Sequence, residues 1–138
     1  MDNKGIALLE FAIIALLLLT LAIGIIDWGL ITQDSQALSN AVREGAREAS
    51  LGGTPDSITS VVMTNAPTPK QGETPTTVTV RYREFIDPSG WTDWGPDYIA
   101  GSGKVQVKVR GEFRCNRISE IMGTSPIVLS SELTVQKE

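Results

Sequence analysis

The feature of the sequence that most limits the fold is an apolar run near its start. Residues 6–31 contain only two charged side chains, Glu10 and Asp27, and no proline. As an α-helix this segment is about 39 Å long, enough to cross a hydrocarbon core of about 30 Å. The sequence therefore predicts a transmembrane helix over 6–31, in contact with membrane lipid.

Charged residues at the two ends of the run predict its direction across the membrane. Lys4 and the amino terminus precede it, whereas Asp27 and Asp34 come first on the other side, where no basic residue appears before Arg43. By the positive-inside tendency, the N-terminus lies in the cytoplasm and the C-terminal part outside. The predicted protein is thus a single-pass protein of the cytoplasmic membrane.

Two simpler interpretations of the run stay open at this point. Ala22-Ile23-Gly24 has the small-x-small pattern of a secretory cleavage site, although apolar residues continue to Ile31. The other interpretation is a plain membrane anchor without processing.

Glu10 is the unusual residue of the run, because a carboxylate at bilayer depth costs about 2.5–3.5 kcal/mol on insertion scales. One explanation is that Glu10 reaches the headgroups near the start of the helix. The other is a role in assembly: a charge unpaired in lipid gains a partner when a second subunit docks beside it.

The residues around Glu10 resemble the processing site of class III signal peptides, as in type IV pilin-like proteins. Gly5 is followed by Ile6 and then by Glu10-Phe11. In such proteins a prepilin peptidase cuts after the glycine and the apolar helix is kept. The resemblance implies a leader peptide over 1–5, a mature chain that starts at Ile6, and pairing of Glu10 with the Ile6 ammonium of a neighbouring subunit.

A longer stretch, strongest over 5–49, resembles the TadE-like family of pilin-like proteins of tight-adherence pilus systems. The matching features are Gly5, Glu10-Phe11, the leucine run, Asp27-Trp28-Gly29, and Asn40-Ala41 through REGAR at 43–47. The C-terminal stretches KVQVKVRGEF and IVLSSELTVQKE fit more loosely. Unlike many relatives, this chain has no proline in its membrane helix, and 87–103 has no counterpart.

The resemblance implies a structural minor subunit that is assembled into, or primes, a tight-adherence pilus for surface attachment, so that the protein ends at the cell surface. The implied partners are other pilin-like subunits, the prepilin peptidase, and the inner-membrane assembly platform with its ATPase. The alternatives are a membrane-tethered binding module outside the cell and the main subunit of an unusual filament.

The helix is predicted to continue beyond the membrane over 32–52. Ala37, Ala41, Gly45 and Ala49 recur four residues apart and form a ridge of small side chains, which lets another backbone approach closely. The predicted partner of this ridge is the sheet of the same subunit, and packing between subunits is the alternative.

The remainder, 53–138, predicts a small α+β globular domain. A short helix starts after Thr54, and alternating apolar residues predict antiparallel strands near 77–86, 104–113 and 127–136. The predicted fold class is α+β and pilin-like: a long N-terminal helix, transmembrane in its lower half, packed by its upper half on a small antiparallel sheet.

The segment 87–103 concentrates Trp91, Trp94 and Tyr98 among aspartates. Three interpretations are open: aromatic side chains that pack on the sheet, a contact surface for another pilus subunit or a host glycan, and a calcium site without EF-hand spacing.

Composition excludes several functions. The chain has no histidine and one cysteine, so a Cys/His zinc site and an intramolecular disulfide have no residues to form them. We predict no enzyme activity, no cofactor and no metal, and a net charge of −4 argues against nucleic acid as a partner. Cys115 is predicted to be a reduced, half-buried side chain, with a bridge to another chain as the alternative.

Overall fold

The computed structural model describes residues 3–69, 73–86, 90–97, 104–115 and 126–137. Its elements in chain order are α1 (Asn3–Ser50), α2 (Pro55–Asn65), β1 (Thr74–Ile86), β2 (Gly90–Trp91), β3 (Val105–Cys115) and β4 (Ile127–Gln136). The chain divides into two compact units, Met1–Thr32 and Gln33–Glu138. The first consists of the N-terminal part of α1; the second contains the rest of α1, α2 and the sheet.

The sheet is antiparallel, with strand order β2-β1-β3-β4. Val109 at the centre of β3 pairs with Val80 of β1 and with Leu133 of β4. Alternate residues of these strands therefore share one face, which we call the inner face, and the residues between them form the outer face. In β1 the register shifts between Thr74 and Thr77.

The hydrophobic core lies between the inner face and the two helices. Its main cluster joins small and branched residues of α1 and α2 to residues of β1 and β3: Ala41, Val42, Ala46, Ala49, Ile58, Val62, Tyr82, Val105, Val107 and Val109. Close approach of α1 to β3 is possible because β3 has glycine at residue 111, where a Cβ would lie 3.0 Å from methyl groups of Leu38 and Val42.

The two helices are joined by a tight turn whose backbone N–H groups form hydrogen bonds to the end of α1. Gly52 has φ +86° and donates to the Ala49 carbonyl, while Gly53 donates to the Glu48 carbonyl. This is the Schellman arrangement, in which the left-handed residue is best supplied by glycine. Thr54 then caps α2 by accepting a hydrogen bond from the Ser57 N–H at 3.3 Å.

The predicted fold class is confirmed: α1 is a long, N-terminal helix, and its residues after Gln33 pack with a small antiparallel sheet. Two features go beyond the prediction. The helix α2 covers part of the sheet beside α1, and Cys115 is fully buried rather than half-buried, in a second cluster with Leu38 and Phe113. This burial disfavours a bridge from Cys115 to another chain.

Candidate functional site

The first unit exposes its apolar surface on every side. All described side chains from residue 6 to residue 22 are exposed, with exposed fractions such as 57% for Ile6 and 70% for Phe11. This helix is long and apolar enough to cross a membrane. A helix that is apolar all round is stable only when lipid or other protein surrounds it.

Hydroxyl groups along this surface are satisfied within the helix. The Thr20 hydroxyl donates to the Leu16 carbonyl at 2.8 Å, and the Thr32 hydroxyl donates to the Trp28 carbonyl at 2.9 Å. Neither hydroxyl needs a partner from water, so both are compatible with a hydrocarbon environment.

Glu10 differs from these threonines. It is exposed on the apolar surface, and it has no hydrogen bond or ion pair with any residue that the structure describes. Gly5 lies in the same helix with open space around it, since a Cβ there would meet no atom within 4 Å. Gly5, Ile6, Glu10 and Phe11 therefore lie within the first turns of one exposed helix.

The predicted ridge of small residues lies in the second unit. Ala41, Gly45 and Ala49 are buried, and Ala37 is half-buried. Gly45 lies against Val62 and Ile58 of α2 and against Val109 of β3. The ridge therefore contacts the second helix as well as the sheet of its own subunit.

Of Trp91, Trp94 and Tyr98 in the tryptophan-rich segment, Trp94 is the residue whose side chain the structure describes. Gly95 beside it forms an antiparallel bridge with Tyr82, through two backbone hydrogen bonds of 2.8 Å. Trp94 packs on the outer face of the sheet, where its ring centroid lies 4.5 Å from the Arg83 guanidinium carbon and 4.6 Å from the Lys108 ammonium. The side chain of Trp91 and the whole of Tyr98 are outside the described residues, as are Met1 and Asp2 of the predicted leader.

A recess with a volume of about 310 Å³ adjoins Trp94 on the outer face. It is lined by Thr79, Arg81, Trp94, Lys108, Arg110 and Glu132. Apart from Trp94, these residues were not singled out from the sequence. The signal that could have found them is the alternation of basic residues with half-buried valines in β1 and buried valines in β3, which places several cations on one face.

Calcium binding gains no support from the described residues, among which no group of three or more acidic, cysteine or histidine side chains is positioned to hold a metal ion.

Comparison with known families bears on the first unit and the start of the second. Residues 5–47 match the family model described as TadE-like protein. Over these residues the N-terminal segment is similar to the TadE-like family. The match starts at Gly5 and includes Glu10, Phe11 and the ridge residues up to Gly45, so the predicted resemblance is confirmed over these residues.

TadE-like proteins are pilin-like proteins associated with tight-adherence pili, and this similarity fits the one N-terminal helix among the described residues that is long and apolar enough to cross a membrane. No curated protein and no solved structure is significantly similar to the chain. The sheet and the outer-face recess lie beyond the TadE-like segment.

Proposed function

We propose that the protein is a minor pilin-like subunit of a tight-adherence pilus. A prepilin peptidase cleaves it between Gly5 and Ile6, and the mature helix then enters or primes the filament. The observation that carries this proposal is the TadE-like match beginning at Gly5, on an exposed apolar helix in which Glu10 has no charge partner among the described residues. The globular unit is held outside the cytoplasm, first at the membrane and then at the cell surface.

Glu10 supplies the physical basis of docking. In a single membrane-inserted subunit its carboxylate lacks a counter-charge, which costs free energy in lipid. Cleavage creates an ammonium group on Ile6, and the Glu10 carboxylate of one subunit pairs with the Ile6 ammonium of the next. Pairing offsets the cost only in the correct register, so the same charge drives association and aligns the helices.

Gly5 and Glu10 are tested separately. The chain is expressed with and without a prepilin peptidase, and the N-terminus of the membrane-bound product is sequenced. We expect the mature chain to begin at Ile6 only when the peptidase is present, and Gly5→Val to block cleavage. Gly24→Val is the matched control, because Gly24 lies in the same helix and also has open space around it.

Assembly is measured by the amount of protein in sheared filaments, in a host that has the pilus system. We expect Glu10→Gln to leave membrane insertion and cleavage intact but to reduce incorporation by at least tenfold. Glu44→Gln is the control, since it removes the same charge from an exposed position of α1. Normal incorporation of Glu10→Gln, or a mature chain that still begins at Met1, would contradict the proposal and favour a membrane-tethered binding module.

A further inference from the structure

The outer face of the sheet carries an excess of positive charge, although the whole chain has a net charge of −4. On the three long strands, the charged residues of this face are five cations and two carboxylates: Arg81, Arg83, Lys108, Arg110, Arg114, Glu112 and Glu132. A basic face on an acidic protein attracts a ligand of opposite charge.

Both carboxylates of this face are already paired. Lys108 contacts Glu132 at 3.2 Å, and Arg110 contacts Glu112 at 2.6 Å. Arg83 donates two hydrogen bonds to the Gln106 side chain and lies over Trp94.

Arg81 also lines the recess, and it takes part in none of these contacts. It is exposed at the recess, and no described residue forms a hydrogen bond or ion pair with it. Its guanidinium group can bind a carboxylate through two parallel hydrogen bonds. Lys108 and Arg110 line the same recess, where Glu132 and Glu112 largely offset their charges.

The other walls of the recess indicate a ligand that is not a simple polyanion. The Glu132 carboxylate accepts hydrogen bonds from sugar hydroxyl groups and repels closely spaced phosphates, and the Thr79 hydroxyl donates or accepts. Trp94 offers an apolar surface for the C–H groups of a sugar ring. The volume of about 310 Å³ is at the lower end of the range for small-molecule sites, about 300–1,000 Å³.

An acidic peptide fits the recess less well. Peptides that bind to sheets usually add a strand to an exposed edge and use its backbone hydrogen bonds. The recess instead spans the middle of the sheet, with residues from β1, β3 and β4, where ladder hydrogen bonds already occupy the backbone of the central strand. Only side chains are available to a ligand there.

We propose that this recess binds a carboxylate-bearing sugar unit of an acidic polysaccharide. Arg81 binds the carboxylate, Glu132 and Thr79 bind hydroxyl groups, and Trp94 packs against the ring. This inference goes beyond the proposed function and does not depend on cleavage or filament assembly, because all of these residues lie in the second unit.

The test uses the full chain in phosphatidylcholine nanodiscs, with calorimetric titration at a fixed ionic strength of about 0.1 M, where charges beyond about 10 Å are screened. The probes are a short oligogalacturonate, its methyl ester and poly-L-glutamate. We expect the oligogalacturonate to bind at least tenfold more tightly than the other two. Absence of binding, or equal binding of the ester or of polyglutamate, would overturn the proposal.

Variants then separate the recess from the general charge of the face. We expect Arg81→Gln to weaken oligogalacturonate binding about tenfold, the loss expected for one charge-assisted interaction. Arg81→Lys should be intermediate, since it keeps the charge but loses the paired hydrogen bonds. Arg114→Gln, an exposed residue of the same face outside the recess, should change the affinity less than twofold. Equal losses for Arg81→Gln and Arg114→Gln would show that binding is not at the recess.

Discussion

Gly45 of α1 and Val62 of α2 lie so close together that a Cβ at residue 45 would overlap the Val62 Cγ2 methyl group. The same glycine lies near Val109 of β3, so the two helices and the sheet meet at one point of the core. A residue with no side chain is needed there because protein cores are close-packed and tolerate little extra volume.

Substitution of Gly45 by alanine should therefore destabilise the second unit. Alanine favours a helix over glycine by about 1 kcal/mol, but overpacking costs about 1–3 kcal/mol and should outweigh that gain. The measurement is urea unfolding of the full chain in detergent micelles. Gly24→Ala is the matched control, since a Cβ there meets no atom within 4 Å, and it should not lower stability.

The double variant Gly45→Ala, Val62→Ala identifies the cause of that loss. If overlap with Val62 is responsible, truncation of Val62 makes room for the new methyl group, and the double variant is more stable than the sum of the two single effects predicts. We expect a coupling energy of about 1 kcal/mol. Strict additivity would show that the destabilisation has another origin.

How much of this core could be predicted depends on the element. Alternation in β3 was sufficient to assign Val105, Val107 and Val109 to the buried face, because side chains of a strand alternate between its two faces. The four-residue spacing of small residues likewise indicated a closely packed side of α1. The packing of α2 against Gly45 could not be predicted, because spacing along one helix does not identify what lies opposite it.

The outer-face recess could not be predicted from the sequence alone. Basic residues opposite the valines predict a positively charged face, but the contact between Lys108 and Glu132 depends on the register of β3 with β4. The position of Trp94 depends on the bridge between Gly95 and Tyr82, which no local pattern indicated. For this reason several interpretations of 87–103 stayed open, and the position of Trp94 could not be predicted.

Gly52 provides a test of the turn that ends α1. With φ at +86°, an L-residue there adopts the left-handed conformation, which costs about 1–2 kcal/mol. Gly52→Ala should lower the free energy of unfolding by about that amount, and Gly52→Asn by less, because asparagine tolerates this conformation better. Equal losses for the two variants would point instead to crowding by Lys137, whose Cε lies 3.2 Å from the position of a Cβ.

Thr54 provides a test of the start of α2. Its hydroxyl oxygen accepts the Ser57 N–H, which would otherwise lack a partner in the first turn. We expect Thr54→Ala to destabilise the second unit by about 1 kcal/mol and Thr54→Ser to have little effect. Thr64→Ala is the control: that hydroxyl donates to the Ser60 carbonyl within the same helix, so its loss should have a small effect on thermal unfolding.

The rate at which a thiol reagent labels Cys115 measures how often the cluster at the end of β3 opens. Its side chain is 1% exposed and packs with Leu38 and Phe113, so a thiol reagent reaches it only after local opening. We expect slow labelling of the native chain and fast labelling in denaturant. Leu38→Ala removes packing from this cluster and should cost about 2–5 kcal/mol. When opening and closing are fast relative to labelling, this loss raises the labelling rate by more than tenfold. Met63→Ala is the control, because Met63 is 47% exposed on α2 and should leave the rate nearly unchanged. Native labelling as fast as in denaturant would show that Cys115 is not enclosed in solution.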